Sequence, residues 1–216
     1  MSETALDPGP VRDLLSGHLP GHPSGHSPSP RGVETPARLR ARHAAPLYLP
    51  PAAVRRSRVS LLAGVAGVTY LADLLTKVAV VAFLNEDDPV AVGGSSVSLR
   101  LIRNPGAAFG LGVNVTALFT AITVVVVAAV LTSSRRLGSR PWALTLGLLL
   151  GGALGNLTDR VARSPGFLSG HVVDFVEIPG WPIFNVADLS ICLAGAGMVG
   201  LACRNVPLDG RRCRKY

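Results

Sequence analysis

The sequence predicts an all-α membrane protein of four transmembrane helices carrying a small sheet at one membrane surface. Three observations support this. Four long apolar runs follow one another between Val59 and Cys203. Only 16% of the 216 residues are charged and 48% are hydrophobic, whereas a soluble domain carries about 25% charge. Finally, the richest clusters of Lys and Arg fall in alternate flanks of the runs, the asymmetry that membrane topology imposes.

Residues 1–50 come first and differ from the rest. They are rich in Pro, Gly, Ser, Arg and His and show no apolar period. Such a segment cannot bury enough surface to offset its ordering entropy, so a disordered cytoplasmic extension is expected. It is not read as a secretory signal, because the first long apolar run begins only at Val59. A helical domain over 55–204 and a basic cytoplasmic tail over 205–216 complete the expected organisation.

The first helix is placed at Val59–Leu84. It contains Asp73 and Lys77, four residues apart and so on one helix face, where they can pair. Charges inside a span face the bundle interior rather than lipid. A connection follows with Asn85-Glu-Asp-Asp88, a Gly-Gly-Ser-Ser turn at 93–96 and an alternating stretch Val97–Ile102 that suits a strand. Asn104-Pro-Gly106 is a turn signal leading into the second helix, Val113–Leu131. The third helix is placed at Trp142–Leu157 and is short for a span unless it continues past Asn156, since about 20 residues are needed. Its Gly151, Gly152 and Gly155 permit close helix approach. The fourth, Val186–Cys203, has Asn185 as its N-cap candidate.

Orientation follows from the flanks. Arg55, Arg56 and Arg58 precede the first helix, Arg135, Arg136 and Arg140 join the second to the third, and Arg204, Arg211, Arg212, Arg214 and Lys215 follow the fourth. The other two connections hold only Arg100 and Arg103, and Arg160 and Arg163. The three rich segments share one side, so both termini are expected in the cytoplasm, with 85–112 and 158–185 at the outer face. The net charge of +8 therefore reflects topology, and no nucleic-acid partner is expected. Cys192, Cys203 and Cys213 are odd in number and lack metal spacing, and His18, His22, His26 and His43 sit in the tail away from His171. Neither a disulfide framework nor a metal site is expected.

Asp174 and Asp188 carry the chemistry. They stand 14 positions apart, each beside an apolar run, with two prolines and a glycine between them that let the chain double back. Carboxylates that converge in a low dielectric can share a proton and activate a water. Taken singly, Asp188 also suits the dipole of a first helical turn, and Asp174 an exposed turn. Asn156, Asp159 and Arg160 follow the glycine run; they suit either a support shell for the pair or anchoring of a helix end. Asp159 and Arg160 are adjacent, so each needs a partner elsewhere. A small transporter or channel subunit is the rival reading, with Asp73, Lys77, Asn156 and Asp159 along an ion path; a noncatalytic membrane scaffold is another. Against a transporter, the carboxylates sit at helix ends rather than through the midplane.

Five segments occur in order: Asp73-Leu-Leu-Thr-Lys77, Asn104-Pro-Gly-Ala-Ala-Phe109, Gly155-Asn-Leu-Thr-Asp-Arg160, Val172-Val-Asp-Phe175 and Phe184-Asn-Val-Ala-Asp188. This set resembles lipoprotein signal peptidase, or signal peptidase II, over about residues 59–203. The resemblance implies an aspartic endopeptidase of the bacterial cytoplasmic membrane. Such an enzyme removes the signal peptide of a diacylated prolipoprotein, cutting just before the lipidated cysteine. Asp174 and Asp188 would be the catalytic pair. Asn104, Gly106, Asn156, Asp159, Arg160 and Asn185 would bind substrate or support the site, and Asp73 with Lys77 would be a structural polar pair. Four transmembrane helices, an extracytoplasmic sheet cradling substrate and a short periplasmic helix are implied, as are membrane lipid as a partner, globomycin as an inhibitor, and no cofactor. The segment between the aspartates is shorter than in many members, and the N-terminal extension lies outside the resemblance.

Overall fold

A computed structural model describes residues 49–86, 88–92, 96–106 and 114–211. The N-terminal extension up to residue 48, residues 93–95 of the turn expected at 93–96, Ala107–Phe109 and the tail from 212 lie outside the described residues.

The described chain is mostly helical, with one small sheet. Helix α1 spans Ala52–Phe83, strand β1 Val90–Ala91 and strand β2 Ser98–Asn104. Helix α2 spans Asn114–Ser133 and runs into a 3₁₀ turn at Ser134–Arg136. Helix α3 spans Arg140–Ala162, strand β3 Val172–Glu177 and helix α4 Val186–Cys203. Among the described residues three helical stretches are long and apolar enough to cross a membrane: Ala52–Phe83, Thr116–Arg136 and Val186–Cys203. Their outward surfaces expose Val68, Leu71, Leu118, Val125, Leu193 and Val199, as suits contact with lipid tails.

Helix α3 differs in composition and role. It has 23 residues, enough to span, but its glycines, Asn156 and terminal charges dilute its apolar character. It is also the most buried helix, packed against α1, α4 and α2. Ser139 precedes it and Pro141 lies in its first turn, where a missing N–H costs nothing. Gly147, Gly151 and Gly155 form an i, i+4 row against α1. A Cβ at Gly151 would stand 2.6 Å from the Ala66 carbonyl oxygen, and one at Gly155 would collide with Asp73 Oδ2. The row sets how closely α1 and α3 approach.

The sheet is antiparallel, in the order β1-β2-β3. In β2 and β3, Ile102 lies opposite Asp174, Arg103 opposite Val173 and Asn104 opposite Val172, with a register irregularity between Leu99 and Ile102. Leu101, Val173 and Phe175 pack with Val80 of α1 as one core, which seats the sheet on the helices. A second core at the other end joins Leu62, Ala66, Val130, Leu137, Ala143, Leu146 and Leu150.

Three boundaries depart from expectation. Helix α1 begins seven residues earlier, at Ala52. Helix α3 runs beyond Leu157 to Ala162, so Asp159 and Arg160 belong to a helix. The strand expected at Val97–Ile102 lies at Ser98–Asn104. The expected short outer helix is not seen among the described residues; residues 107–113, before α2, lie outside them.

Candidate active site

Strand β3 and the first turn of α4 bring Asp174 and Asp188 to the same cavity. Asn185 caps α4: its side-chain oxygen accepts the Asp188 N–H at 2.9 Å, and Asp188 Oδ2 accepts the Asn185 N–H at 3.2 Å. This reciprocal box satisfies two otherwise orphaned donors of the helix start. Because Asn185 Oδ1 faces Asp188, its Nδ2 turns to Asp174 and donates to Oδ1 at 2.6 Å. One fully buried asparagine thus ties both carboxylates together.

Asn104, at the end of β2, holds the other oxygen of Asp174. Its Nδ2 donates to Oδ2 at 2.8 Å, and its own Oδ1 accepts the Gly106 N–H at 2.8 Å. Gly106 adopts φ +97°, a conformation that favours glycine. A Cβ there would also crowd the Phe119 ring at 3.1 Å. Arg160 donates through Nη1 to the carbonyls of Gly170 at 3.0 Å and Asn104 at 3.4 Å, bracing the loop ends that hold Asp174.

Asp188 is held from α3. Asn156 Nδ2 donates to Asp188 Oδ1 at 2.8 Å, while Asn156 Oδ1 accepts from Lys77 Nζ at 2.9 Å. Lysine has no acceptor, so this contact fixes which way the amide points. Lys77 also meets Asp73 at 2.7 Å and Asp159 at 2.9 Å, with all three side chains at most 2% exposed. The remaining Asp73 oxygen accepts the Ala187 N–H at 2.8 Å, pinning the start of α4. Asp159 accepts the Val173 N–H at 3.2 Å and also pairs with Arg163.

Asp174 is 3% exposed. Burial pushes its carboxyl up from 3.8 to about 6, against the lowering effect of the Asn104 hydrogen bond, and the neighbouring Asp188 charge adds to the rise. Both carboxylates open on a cavity of about 220 Å³, also lined by Asn104, Gly106, Asn156 and Arg160. A neighbouring apolar cavity of about 330 Å³, lined by Trp181, Phe184 and Leu189, shares Asp188.

All ten residues singled out in the sequence therefore lie in one connected network, on two levels. Asn104, Gly106, Asn156 and Arg160 line the cavity with the two aspartates. Asp73, Lys77, Asp159 and Asn185 stand behind them as buried supports. Phe119 and Thr123 of α2 complete the lining, yet nothing in this helix, apolar but for scattered threonines, marks them out. Among the described residues no group of three or more His, Cys, Asp or Glu is placed to hold a metal ion.

The sequence model of the family described as Signal peptidase (SPase) II matches residues 65–203. The chain belongs to the signal peptidase II family. A lipoprotein signal peptidase of Rhodococcus jostii (strain RHA1) is 49% identical over 163 residues, which cover 76% of this chain and 82% of that relative. One from Mycobacterium leprae (strain Br4923) is 40% identical over 204 residues, 94% of each chain, so that similarity takes in much of the N-terminal extension. A solved bacterial membrane enzyme, determined by the in meso method, superposes with a TM-score of 0.59 at 26% identity, covering 65% of this chain and 91% of that one. Its membrane setting agrees with the apolar helices, and this signal peptidase II homologue is a membrane protein.

Proposed function

We propose that this signal peptidase II homologue is an aspartic endopeptidase. It removes signal peptides from diacylglyceryl-modified prolipoproteins, cutting just before the lipidated cysteine. The observation that carries the reading is the single buried Asn185, which orients Asp174 with its side chain and Asp188 with its backbone N–H at the mouth of one cavity. The lipoprotein signal peptidases among its relatives supply the substrate class.

In the reaction, one carboxylate accepts a proton from a water held between the pair. The other, protonated, donates to the scissile carbonyl oxygen. The water oxygen bonds the carbonyl carbon to give a gem-diol; the carboxyl that took the water's proton then gives it to the amide nitrogen, the other takes a proton back from one gem-diol hydroxyl, and the C–N bond breaks to leave a carboxylic acid and an amine. Asn104 and Asn156 hold them toward the cavity, and the adjoining apolar cavity suits the hydrocarbon part of a substrate. No cofactor takes part in these steps.

In this reading α3 is a fourth span, shielded by its neighbours, so its lower hydropathy is tolerated. The protein lies in the bacterial cell membrane with both termini cytoplasmic, by the arginine asymmetry, and the carboxylates at the outer face. Residues 1–50 lie on the cytoplasmic side, outside the peptidase domain of 55–204. Globomycin is expected to block the site.

The test is processing of a diacylated prolipoprotein by purified protein. Asp174→Asn and Asp188→Asn should each lower turnover by about a thousandfold or more while the protein still inserts. Near-normal turnover in either variant refutes the assignment. Substitutions within residues 1–45 should leave turnover nearly unchanged, and a large loss would give that segment a role in folding or catalysis.

A further inference from the structure

At the end of the bundle away from the carboxylates, three cavities adjoin one another and change character along the way. The first, about 650 Å³, lies between the start of α1 and the end of α2 and is rimmed by Arg55, Arg135 and Arg136. None of these arginines pairs with an acid among the described residues, and the described lining contains no Asp or Glu. The hydroxyls present are committed to the backbone, Thr132 donating to the Ala128 carbonyl at 2.9 Å and Ser134 to that of Leu131 at 2.7 Å. Guanidinium groups are thus the free donors facing this space. A second cavity, about 270 Å³, shares Thr132 and Arg136 with the first. The third, about 310 Å³, shares Ser133 and Leu208 with the second and runs between α2, α3 and α4 over Val130, Trp142 and Leu149. The Trp142 indole N–H is already donated to the Val206 carbonyl at 2.7 Å, so the third cavity presents apolar surface.

A cationic rim opening into an apolar slot matches an amphiphile with an anionic head and a hydrocarbon tail. A guanidinium fork suits phosphate oxygens. Basic pockets between transmembrane helices take anionic lipid heads. We propose that this end of the bundle is a binding site for one anionic phospholipid. Its phosphate lies on Arg135 and Arg136 with Arg55 at the side, and an acyl chain lies in the slot beside Trp142. Along α3, Trp142 and Asn156 are separated by roughly 20 Å, so the site is distinct from the aspartate cavity. It does not depend on the peptidase reading.

Trp142 provides the readout. The chain has two tryptophans, so in a full-length Trp181→Phe background Trp142 is the sole indole. Delipidated protein in detergent is titrated with phosphatidylglycerol brominated on its acyl chains, and in parallel with brominated phosphatidylcholine. Phosphatidylglycerol should quench Trp142 saturably at about one lipid per protein, and phosphatidylcholine only weakly and without saturation. Arg135→Gln/Arg136→Gln should weaken phosphatidylglycerol about tenfold, while Arg56→Gln/Arg204→Gln, equal in charge removed, should change it less than about twofold. These four arginines lie at the surface, so the variants keep the fold, and Ala129→Phe, which fills the slot without altering charge or adding an indole, should abolish the saturable quenching; unchanged saturation in that variant would overturn the placement of the acyl chain. Equal quenching by both lipids, or equal loss in both double variants, would reduce the site to general contact with a charged bilayer and overturn the proposal. Displacement of phosphatidylglycerol by millimolar inorganic phosphate would overturn it too, by making the rim a free-anion site.

Discussion

Lys77 in the bundle and Arg103 on the sheet each hold carboxylates at nearly the same distance. Lys77 meets Asp73 at 2.7 Å and Asp159 at 2.9 Å; Arg103 meets Glu86 at 2.8 Å. Exposure separates them. The three bundle side chains are at most 2% exposed, whereas Arg103 and Glu86 are 45% and 55% exposed. The lesson is that distance alone does not set the weight of an ion pair. Breaking a buried pair strands an uncompensated charge, while water and salt screen a surface pair. Only the buried cluster is wired to the candidate chemistry, because Lys77 orients the Asn156 amide and Asn156 holds Asp188.

The largest effect expected from breaking this contrast is at Lys77. Lys77→Met leaves Asp73 and Asp159 buried without their shared cation and should cost about 3–5 kcal/mol of stability. It also removes one of the two donors to Asn156 Oδ1, leaving only Asn185 Nδ2, so the amide that holds Asp188 is less firmly oriented and turnover should fall in the protein that remains folded. Unfolding in detergent, with turnover normalised to folded protein, reads both. A loss under about 1 kcal/mol would place Lys77 with the surface pairs.

Next comes pH. The Asp174 carboxyl is raised from 3.8 to about 6, chiefly by burial. A raised folded-state value means that the protonated form favours the fold. That contribution is fully present below about pH 4 and is lost as pH rises through about 6. A shift of this size corresponds to about 3 kcal/mol. Stability should therefore decline across this window, and Asp174→Asn, which cannot titrate, should flatten the decline. Superimposable pH profiles for the two proteins would show that burial does not govern Asp174.

What can be read in the sequence follows the same division between local and distant causes. The ends of α4 coincide with the expected Val186–Cys203 because both are local: Asn185 caps one end and the apolar run stops at Arg204 at the other. The pairing of Asp73 with Lys77 is legible for the same reason, as an i, i+4 spacing. The apolar pattern of α3 ends at Leu157, and in the sequence Asp159 and Arg160 suit a support shell or the anchoring of a helix end equally well. Their partners, Lys77, Val173 and Gly170, come from other elements or a later loop, and no local pattern announces them. Strand β3 is equally silent in the sequence. It pairs with β2 some 70 residues earlier, so Asp174 is a buried strand residue rather than a turn acid.

The glycine row sharpens the comparison by testing whether the buried cluster tolerates crowding. Gly155→Ala drives a methyl into the Asp73 carboxylate, which cannot retreat without leaving Lys77 and Ala187. A cost of about 1–3 kcal/mol is expected. At Gly64, on α1, an added Cβ would meet nothing within 4 Å. Gly64→Ala should instead stabilise by up to about 1 kcal/mol through lower chain entropy. Equal effects at the two positions, measured by thermal unfolding, would mean that α1 and α3 are not in close contact.

The smallest effect belongs to the surface pair. Arg103→Ala removes the contact with Glu86 but leaves the backbone of β2 in register with Val173. Both side chains remain in water, so little desolvation is recovered or lost. The expected change is under about 1 kcal/mol. It should shrink further as salt rises from about 0.1 M to 1 M, because the screening length falls from about 10 Å to 3 Å. The Lys77→Met penalty should hardly respond to the same salt, since ions do not enter a site with under 2% exposure at Lys77 and Asp73. A double titration of the two variants against salt and denaturant therefore separates the regions: parallel salt responses would mean that the bundle cluster is reached by solvent and that burial is not what distinguishes it.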